Sequence, residues 1–131
     1  MKGIRMQGGI PLQGKVRIQG SKNAALPILA ATLLTNEVSY IQNCPRIADV
    51  HRFVHLLREL GCLVHWQEKG IRVQPGENEE LPCERAEARR MQGEAITGMR
   101  SSLCLLGALL GRCGYVTMEH PGGCIIGERP I

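Results

Sequence analysis

Residues 49–74 read DVHRFVHLLRELGCLVHWQEKGIRVQ, and the spacing of their apolar side chains changes at Gly61. Before Gly61 the apolar residues recur every three or four positions, which predicts a helix with one buried face. After Gly61 the pattern predicts two short strands, 62–66 and 71–74, joined as a hairpin around Lys69-Gly70. A helix that leads directly into paired strands favours a mixed α/β (α+β) fold.

The order of helix, small-residue turn and strand recurs along the chain, at 34–42, 60–66 and 110–119. Pro27 is tolerated only in the first turn of a helix, which places the start of the first helix near Asn23. Asp49 is the predicted N-cap of the second helix. The predicted helices are 23–34, 49–60 and 94–112, and further strands are predicted at 15–19, 38–42 and 115–119. This recurrence favours crossover connections over a helix bundle or a β-sandwich.

Composition limits the classes of protein that fit the sequence. At about 150 residues per domain, the 131 residues allow one domain at most. Hydrophobic residues make up 44% and charged residues 21%, which is typical of a globular protein and not of a disordered one. Aromatic residues are 3%, too few for a base-stacking surface. We therefore expect a small aliphatic core and no nucleic-acid partner.

The net charge of +4 is unevenly distributed. Five of the twelve acidic residues lie between 77 and 87 beside one base, Arg85, so the rest of the chain carries fifteen bases against seven acids. Twelve of the sixteen bases are arginine, whose planar guanidinium suits bidentate binding of phosphate or carboxylate. The excess is compatible with a small anionic ligand and with a solvated basic surface, and charge alone favours the surface.

The six cysteines indicate a reducing compartment and not a disulfide scaffold. Their share lies below the roughly 8–10% of such scaffolds, and the N-terminal residues lack a secretory apolar region. No CxxC pair or His/Cys cluster has zinc-ligand spacing, and His51 and His55 lack a third ligand, which favours an exposed helix face. The longest apolar stretch, 103–110, is too short to span a bilayer. We expect free thiols, no metal or other cofactor, no membrane partner and a cytoplasmic location.

Residues 120–130 read HPGGCIIGERP and predict a glycine-rich loop that carries one cysteine, Cys124. Glycine lets the backbone approach a ligand closely. A thiol on such a loop can act as a nucleophile or a general acid, and a nearby cation such as Arg129 would activate it. The alternative is a turn with an incidental thiol, which composition alone favours.

Two further segments carry cations at positions suited to anions. Residues 19–25 read QGSKNAA and place Lys22 at a predicted helix N-terminus, which attracts phosphate or carboxylate. They lack the GxxxxGK[ST] pattern of a Walker loop, and alone they are more typical of a capped helix with a solvated lysine. Residues 98–102 read GMRSS, and Arg100 beside an apolar helix needs an anionic partner, either a structural carboxylate or a ligand.

Together the three segments resemble a known family, the UDP-N-acetylglucosamine enolpyruvyl transferases. SKNAALP at 21–27, GMRSS at 98–102 and PGGCIIGERP at 121–130 occur in the family's order and at about its separations. The likeness extends through the whole chain, and the PGGCxIGxRP segment is its most specific part. The resemblance implies part of an inside-out α/β barrel of the enolpyruvyl transferase type, built from repeated α/β units.

The resemblance implies transfer of the enolpyruvyl group of phosphoenolpyruvate to the 3′-hydroxyl of UDP-N-acetylglucosamine, with release of phosphate, early in peptidoglycan precursor synthesis. Cys124 would protonate the methylene carbon of phosphoenolpyruvate and react with fosfomycin. Lys22 and Arg129 would hold the phosphate and carboxylate, and Arg100 would contact anionic substrate groups. The sugar nucleotide would be bound by Asn23, Arg129, Pro130 and Ile131.

The resemblance also implies a division of the chain. Residues 1–21 would be strands of a mostly absent first domain, and 22–131 an incomplete second domain that carries the catalytic loop 120–130. Chains of the family are several times longer and have an acidic base outside this sequence, so we expect a fragment that is inactive without the remainder of the enzyme. The alternatives are a shikimate-3-phosphate enolpyruvyl transferase, which lacks the PGGC cysteine, a non-catalytic basic anion-binding module, and a truncated non-functional product.

Overall fold

A computed structural model describes residues 3–76, 90–91 and 102–118 of the chain. These residues form helices and two small sheets, which confirms the predicted mixed α/β class. The helices are α1 (Lys22–Ala31), continued by the 3₁₀ turn Thr32–Leu34, α2 (Ala48–Glu59) and α3 (Leu103–Cys113). The strands are β1 (Ser39–Gln42), β2 (Leu63–Gln67), β3 (Gly70–Gln74), β4 (Arg90–Met91) and β5 (Thr117–Met118).

The larger sheet has three strands, with β3 in the centre. β3 pairs antiparallel with β1 on one side and with β2 on the other. β1 and β2 therefore run parallel to each other, and α2 connects them. The predicted crossover is confirmed, although the parallel pair is split by the antiparallel strand between them. β4 and β5 form a separate parallel pair.

The hairpin predicted around Lys69-Gly70 is confirmed. Gln67 pairs with Gly70, which leaves Glu68 and Lys69 as a two-residue turn between β2 and β3. Glycine is required at position 70 because a Cβ atom there would overlap the carbonyl oxygen of Ile41 in β1. The hairpin thus fits against β1 only with glycine at this position.

One face of the larger sheet and the apolar faces of the helices form an aliphatic core, as the composition predicts. Its only aromatic residue with no exposed surface is Phe53 of α2. From the sheet, Val64, Ile71 and Val73 are buried in it. The buried residues of the second helix and its C-terminal end include the whole predicted face: Val50, Phe53, Val54, Leu57 and Leu60. α1 packs against both α2 and α3.

Arg112, near the C-terminal end of α3, forms hydrogen bonds with the residues at and just after the 3₁₀ turn that continues α1. Its guanidinium donates hydrogen bonds to the carbonyl oxygens of Leu33 (2.8 Å) and Thr35 (3.1 Å), and to Oδ1 of Asn36. Carbonyl groups at a helix C-terminus lack partners inside the helix, so an arginine from another element can satisfy them. α3 confirms the later part of the helix predicted at 94–112, and residues 94–101 lie outside the described ranges.

The strand predicted at 15–19 is wrong. Residues 3–20 contain neither helix nor strand, and the side chains of Val16 and Ile18 are 89% and 82% exposed. A strand is held by hydrogen bonds to a neighbouring strand, and none of the strands in the described part of the chain pairs with this segment. The alternation of polar and apolar residues at 15–19 is therefore not sufficient to form a strand.

One helix start differs from its prediction, and the start of α1 lies one residue from the predicted position near Asn23. α2 begins at Ala48 with Ile47 in the N-cap position, so Asp49 is not the N-cap but lies in the first turn. A carboxylate in that turn is still favourable because it faces the positive end of the helix dipole, and Asp49 is held there by an ion pair with Lys22. α1 begins at Lys22, which places Pro27 in its second turn. Proline has no N–H, so the carbonyl of Asn23 lacks its usual donor within the helix.

The expected free thiols are confirmed for Cys44, Cys62 and Cys104. The expectation is wrong for Cys113, which is disulfide-bonded at the end of α3. A disulfide requires two sulfur atoms at bonding distance, and the tertiary fold decides that proximity. Spacing along the sequence therefore could not identify this cysteine.

Candidate functional site

Two residues of the predicted site, Lys22 and Asn23, are the first two residues of α1. The structure places them beside the first turn of α2 through the contact between Lys22 and Asp49. The other predicted site residues lie outside the described ranges: Arg100, Cys124, Arg129, Pro130 and Ile131. The structure therefore describes only the part of the predicted site that contains Lys22 and Asn23.

The backbone before Lys22 is fixed against the turn that follows β1. The N–H of Gly20 donates to the carbonyl oxygen of Asn43 at 3.1 Å, and the N–H of Asn43 donates to the carbonyl of Lys69 at 3.0 Å. Asn43 has a left-handed backbone with φ of 55°. A Cβ atom on Gly20 would overlap the carbonyl oxygen of Asn43. Glycine at position 20 therefore permits the close contact between the two backbones. The start of α1 is thereby attached to the sheet.

The N-terminus of α1 carries no negative side chain of its own. Its N-cap, Ser21, is extended and makes no side-chain cap hydrogen bond, and its first turn contains no acidic residue. The first intrahelical bond is donated by the N–H of Ala25 to the carbonyl of Ser21 at 2.9 Å. The N–H groups before Ala25 have no acceptor within the helix, and they give this end a partial positive charge. The helix start predicted at this position is therefore present, and its N-terminal end has a partial positive charge.

Lys22 is held by Asp49 across the junction of the two helices. Its Nζ lies 2.8 Å from Oδ2 of Asp49, and Nη1 of Arg52 lies 4.0 Å from Oδ1 of the same carboxylate. The Lys22 side chain remains 46% exposed and that of Asp49 33% exposed. Lys22 and Arg52 thus both lie beside the carboxylate of Asp49 at the surface.

Sequence analysis missed Asp49 as a member of this cluster. The two partners are 27 positions apart in the chain, and each has an ordinary local explanation. Lys22 fits a solvated lysine at a helix start, and Asp49 fits an acidic residue near one. No local pattern in the sequence joins them, because the contact depends on how α1 and α2 pack.

A second cluster surrounds Trp66 of β2. The guanidinium of Arg46 lies 5.0 Å from the centre of the tryptophan ring and donates to the carbonyl of Gln67 at 2.7 Å. The ring of His51 lies 5.1 Å from that of Trp66. His51 and His55 are both exposed, as predicted, and Nδ1 of His55 lies 3.4 Å from Oε1 of Glu59. The two histidines of α2 thus each contact a neighbouring side chain.

Within residues 3–76, 90–91 and 102–118, no group of three or more His, Cys, Asp or Glu side chains could hold a metal ion. No helix in those ranges is long and apolar enough to cross a bilayer.

Two thiols in the described part of the chain are poor candidates for a nucleophile. Burial raises the pKa of the Cys62 thiol to about 11, although the Arg112 guanidinium opposes the shift. Burial also raises the pKa of Cys44. Because the thiolate is the reactive form, both cysteines are mostly unreactive near neutral pH.

The chain is similar to known proteins along nearly its whole length. Residues 6–131 match the family model described as EPSP synthase (3-phosphoshikimate 1-carboxyvinyltransferase). The UDP-N-acetylglucosamine 1-carboxyvinyltransferase of Methylacidiphilum infernorum is 40% identical to the chain over 131 residues, and the proteins of the same name from Sorangium cellulosum and Coprothermobacter proteolyticus are 44% identical.

Each of these matches covers 100% of this chain but 29% of the relative. The chain therefore spans less than a third of the length of the curated relatives it matches. The family match, in contrast, extends over nearly all of the chain. By this match the chain belongs to the EPSP synthase family.

Proposed function

We propose that this protein takes part in the transfer of the enolpyruvyl group from phosphoenolpyruvate to the 3′-hydroxyl of UDP-N-acetylglucosamine, a reaction of peptidoglycan precursor synthesis. The observation that carries the proposal is the 40–44% identity, over the entire chain, with relatives that are named for this carboxyvinyl transfer. The proposal places the protein in the cytoplasm, where both substrates would be available.

The name of the family model points to a second acceptor, 3-phosphoshikimate. The relatives cited above carry the sugar-nucleotide name instead, and they match the whole chain. Residues 121–124 also read PGGC, the loop pattern that the shikimate enzymes lack. We therefore retain 3-phosphoshikimate only as the alternative acceptor.

Lys22 and Asn23 are proposed to bind substrate at the N-terminus of α1. Support comes from the half-exposed side chain of Lys22 and from the absence of an acidic residue in the first turn of the helix. Phosphoenolpyruvate carries a phosphate and a carboxylate, and both groups suit a lysine combined with the positive end of a helix. Asn23 is proposed to contact the sugar nucleotide.

The remaining roles are proposed for residues outside the described ranges. Cys124 would donate a proton to the methylene carbon of phosphoenolpyruvate while the 3′-oxygen of the sugar bonds to the adjacent carbon, giving a tetrahedral ketal. Loss of a proton from the new methyl group and cleavage of the carbon–oxygen bond to phosphate would then release inorganic phosphate. Contacts to the anionic groups and the sugar nucleotide are proposed for Arg100, Arg129, Pro130 and Ile131.

The proposal includes the architecture implied by the resemblance. The described α/β unit would form part of an inside-out α/β barrel, with residues 1–21 assigned to a first domain and 22–131 to a second. No residue of this chain is assigned as the base that accepts the 3′-hydroxyl proton. That group, and the rest of the site, would come from the remainder of the enzyme.

A chimera tests the function. The 131-residue sequence would replace the matching segment of the Coprothermobacter proteolyticus relative, which is 44% identical over 131 residues. Phosphate release from phosphoenolpyruvate should depend on UDP-N-acetylglucosamine, and Cys124→Ser should lower its rate by about 10²-fold or more. Cys44→Ser is the matched control and should leave the rate unchanged.

Three results would contradict the proposal: a folded chimera without phosphate release, release that depends on 3-phosphoshikimate, or full activity in the Cys124→Ser chimera. Circular dichroism and size-exclusion chromatography would establish that each chimera is folded.

A further inference from the structure

We infer that the outer edge of β2 is a surface for pairing with the same strand of a second copy of this chain, and that Arg46 and Arg58 keep it closed. Within the described part of the chain, the larger sheet ends at β2, because its strand order is β1, β3, β2. A strand at the edge of a sheet offers backbone N–H and C=O groups to another strand. The inference does not depend on the proposed function, because it concerns the backbone of the sheet and not the substrate site.

The side chains of β2 do not themselves oppose such pairing. Residues 63–67 read LVHWQ and contain no proline and no lysine, arginine, aspartate or glutamate. Edge strands are usually protected by charged side chains, by proline, by a bulge or by a covering element. A short uncharged segment with high β-propensity is typical of strands that associate when their edge is open. Protection of this edge must therefore come from other elements.

Arg58, at the C-terminal end of α2, binds the backbone carbonyl of Val64. Its Nε and Nη2 lie 3.2 Å and 2.6 Å from that oxygen, so two N–H groups of one guanidinium donate to a single acceptor. In an edge strand, every second residue directs its N–H and C=O away from the sheet. Because a side chain from α2 reaches the Val64 oxygen, this carbonyl is one of the outward groups. Arg58 thus takes the position that an N–H group of an incoming strand would need.

Arg46 lies beside the other end of the strand. Its Nη2 donates to the carbonyl oxygen of Gln67 at 2.7 Å, and its guanidinium lies 5.0 Å from the centre of the Trp66 ring. A hydrogen bond and a cation–π contact therefore hold this arginine against β2. The uncharged strand thus has a positive side chain bound near each of its ends.

A second copy of the chain is the partner that this edge fits. Two identical edge strands can pair antiparallel about a two-fold axis, because each then offers the same backbone groups to the other. That arrangement would bring the arginines of one copy beside those of the other, and like charges repel. Arg46 and Arg58 therefore oppose pairing in two ways, since Arg58 occupies an outward carbonyl and both arginines place positive charge on the two partners.

The test compares self-association of the wild type and of variants of the 131-residue chain. Arg58→Ala and the combined variant Arg46→Ala/Arg58→Ala remove the contacts with β2. The matched control is Arg17→Ala/Arg52→Ala, which removes the same charge from two exposed arginines, one in the segment before α1 and one that faces Asp49. Sedimentation velocity over a wide range of protein concentration measures association, and circular dichroism establishes that each variant is folded.

Amide hydrogen exchange identifies the strand that pairs. Trp66 lies two positions after Val64, so its N–H also points away from β3. This N–H should exchange rapidly in the wild type and slowly in the associated combined variant. The amides of β1, at the opposite edge of the sheet, serve as the internal reference and should exchange alike in all the proteins.

We expect the combined variant to self-associate at least about tenfold more tightly than the wild type, with slower exchange at the Trp66 N–H. Arg58→Ala should show a smaller change in the same direction, and the charge-matched control should behave like the wild type. If the combined variant does not fold, Arg58→Ala decides the question by the same two measurements.

Three results would overturn the inference. The first is equal self-association of the wild type and the folded variants that lack Arg58. The second is an equal increase in the charge-matched control, which would indicate a general loss of charge repulsion. The third is association without slower exchange at Trp66, which would place the contact elsewhere on the molecule.

Discussion

Two segments of this chain alternate polar and apolar residues, and they have opposite structures. In β2 and β3, Val64 and Val73 are 2% and 0% exposed and lie in the core. In residues 15–19, Val16 and Ile18 are 89% and 82% exposed and form no strand. The difference is that β2 and β3 pair with each other and β2 packs against α2, whereas 15–19 pairs with none of the described strands.

The comparison shows what an alternating pattern specifies. Alternation determines which side chains would share a face if a strand forms. It does not supply the hydrogen-bond partner or the apolar surface that stabilises the strand. Gly20 lies between the exposed segment 15–19 and the packed part of the chain, because its N–H donates a hydrogen bond to Asn43 in the turn after β1.

The largest expected effect separates the core from the exposed segment. Phe53→Ala removes a side chain with no exposed surface, and it should lower the free energy of unfolding by about 3–5 kcal/mol. Val16→Ala, the control in the exposed segment, should change it by less than about 0.5 kcal/mol. Urea denaturation followed by circular dichroism measures both values. A loss in Val16→Ala similar to that in Phe53→Ala would show that residues 15–19 pack in solution.

The contact between Gly20 and Asn43 can be tested with glycine substitutions. Gly20→Ala places a methyl group against the carbonyl oxygen of Asn43, so it should cost about 1–3 kcal/mol of unfolding free energy. Gly8→Ala is the matched control because a Cβ atom there meets no atom within 4 Å. The same denaturation measurement applies, and equal stability of the two variants would mean that the contact between Gly20 and Asn43 is absent in solution.

The smallest expected effect concerns the pH dependence of the core. Burial raises the pKa of Cys62 from its ordinary value of 9.0 to about 11 in the folded protein. The free energy of unfolding is therefore highest below the ordinary pKa and falls as the pH rises toward the folded pKa, by about 1.4 kcal/mol near pH 10. Comparing unfolding of the wild type and Cys62→Ala at about pH 8 and pH 10 isolates this contribution. An identical pH dependence in both proteins would contradict it.

Much of the fold could be predicted from local patterns. The apolar face of α2, the two-residue turn of the hairpin and the α1 region follow from periodicity and from turn residues, and all are present in the structure. The predictions failed where the local structure depends on a segment that is distant in the sequence. Examples are the strand at 15–19, which has no partner among the described strands, and Asp49, which pairs with Lys22 instead of capping α2.

In the candidate site, too, some features follow from the sequence and others depend on the tertiary structure. Lys22 was identified from its position between a predicted strand and a helix, and the structure places it at the start of α1. The assignments of Arg100, Cys124 and Arg129 remain predictions, since these residues lie outside the described ranges. The contact of Lys22 with Asp49, in turn, depends on the packing of α1 beside α2.

The sequence by itself determined the α/β class, the buried face of α2 and the motifs that indicate an enolpyruvyl transferase. These are local properties, because helical and strand periodicity and short motifs extend over a few neighbouring residues. Only the tertiary structure decided the strand order with β3 in the centre, the contact of Gly20 with Asn43 and the ion pair of Lys22 with Asp49. Each of these depends on which distant segments pack together, and the same local pattern allows several such arrangements.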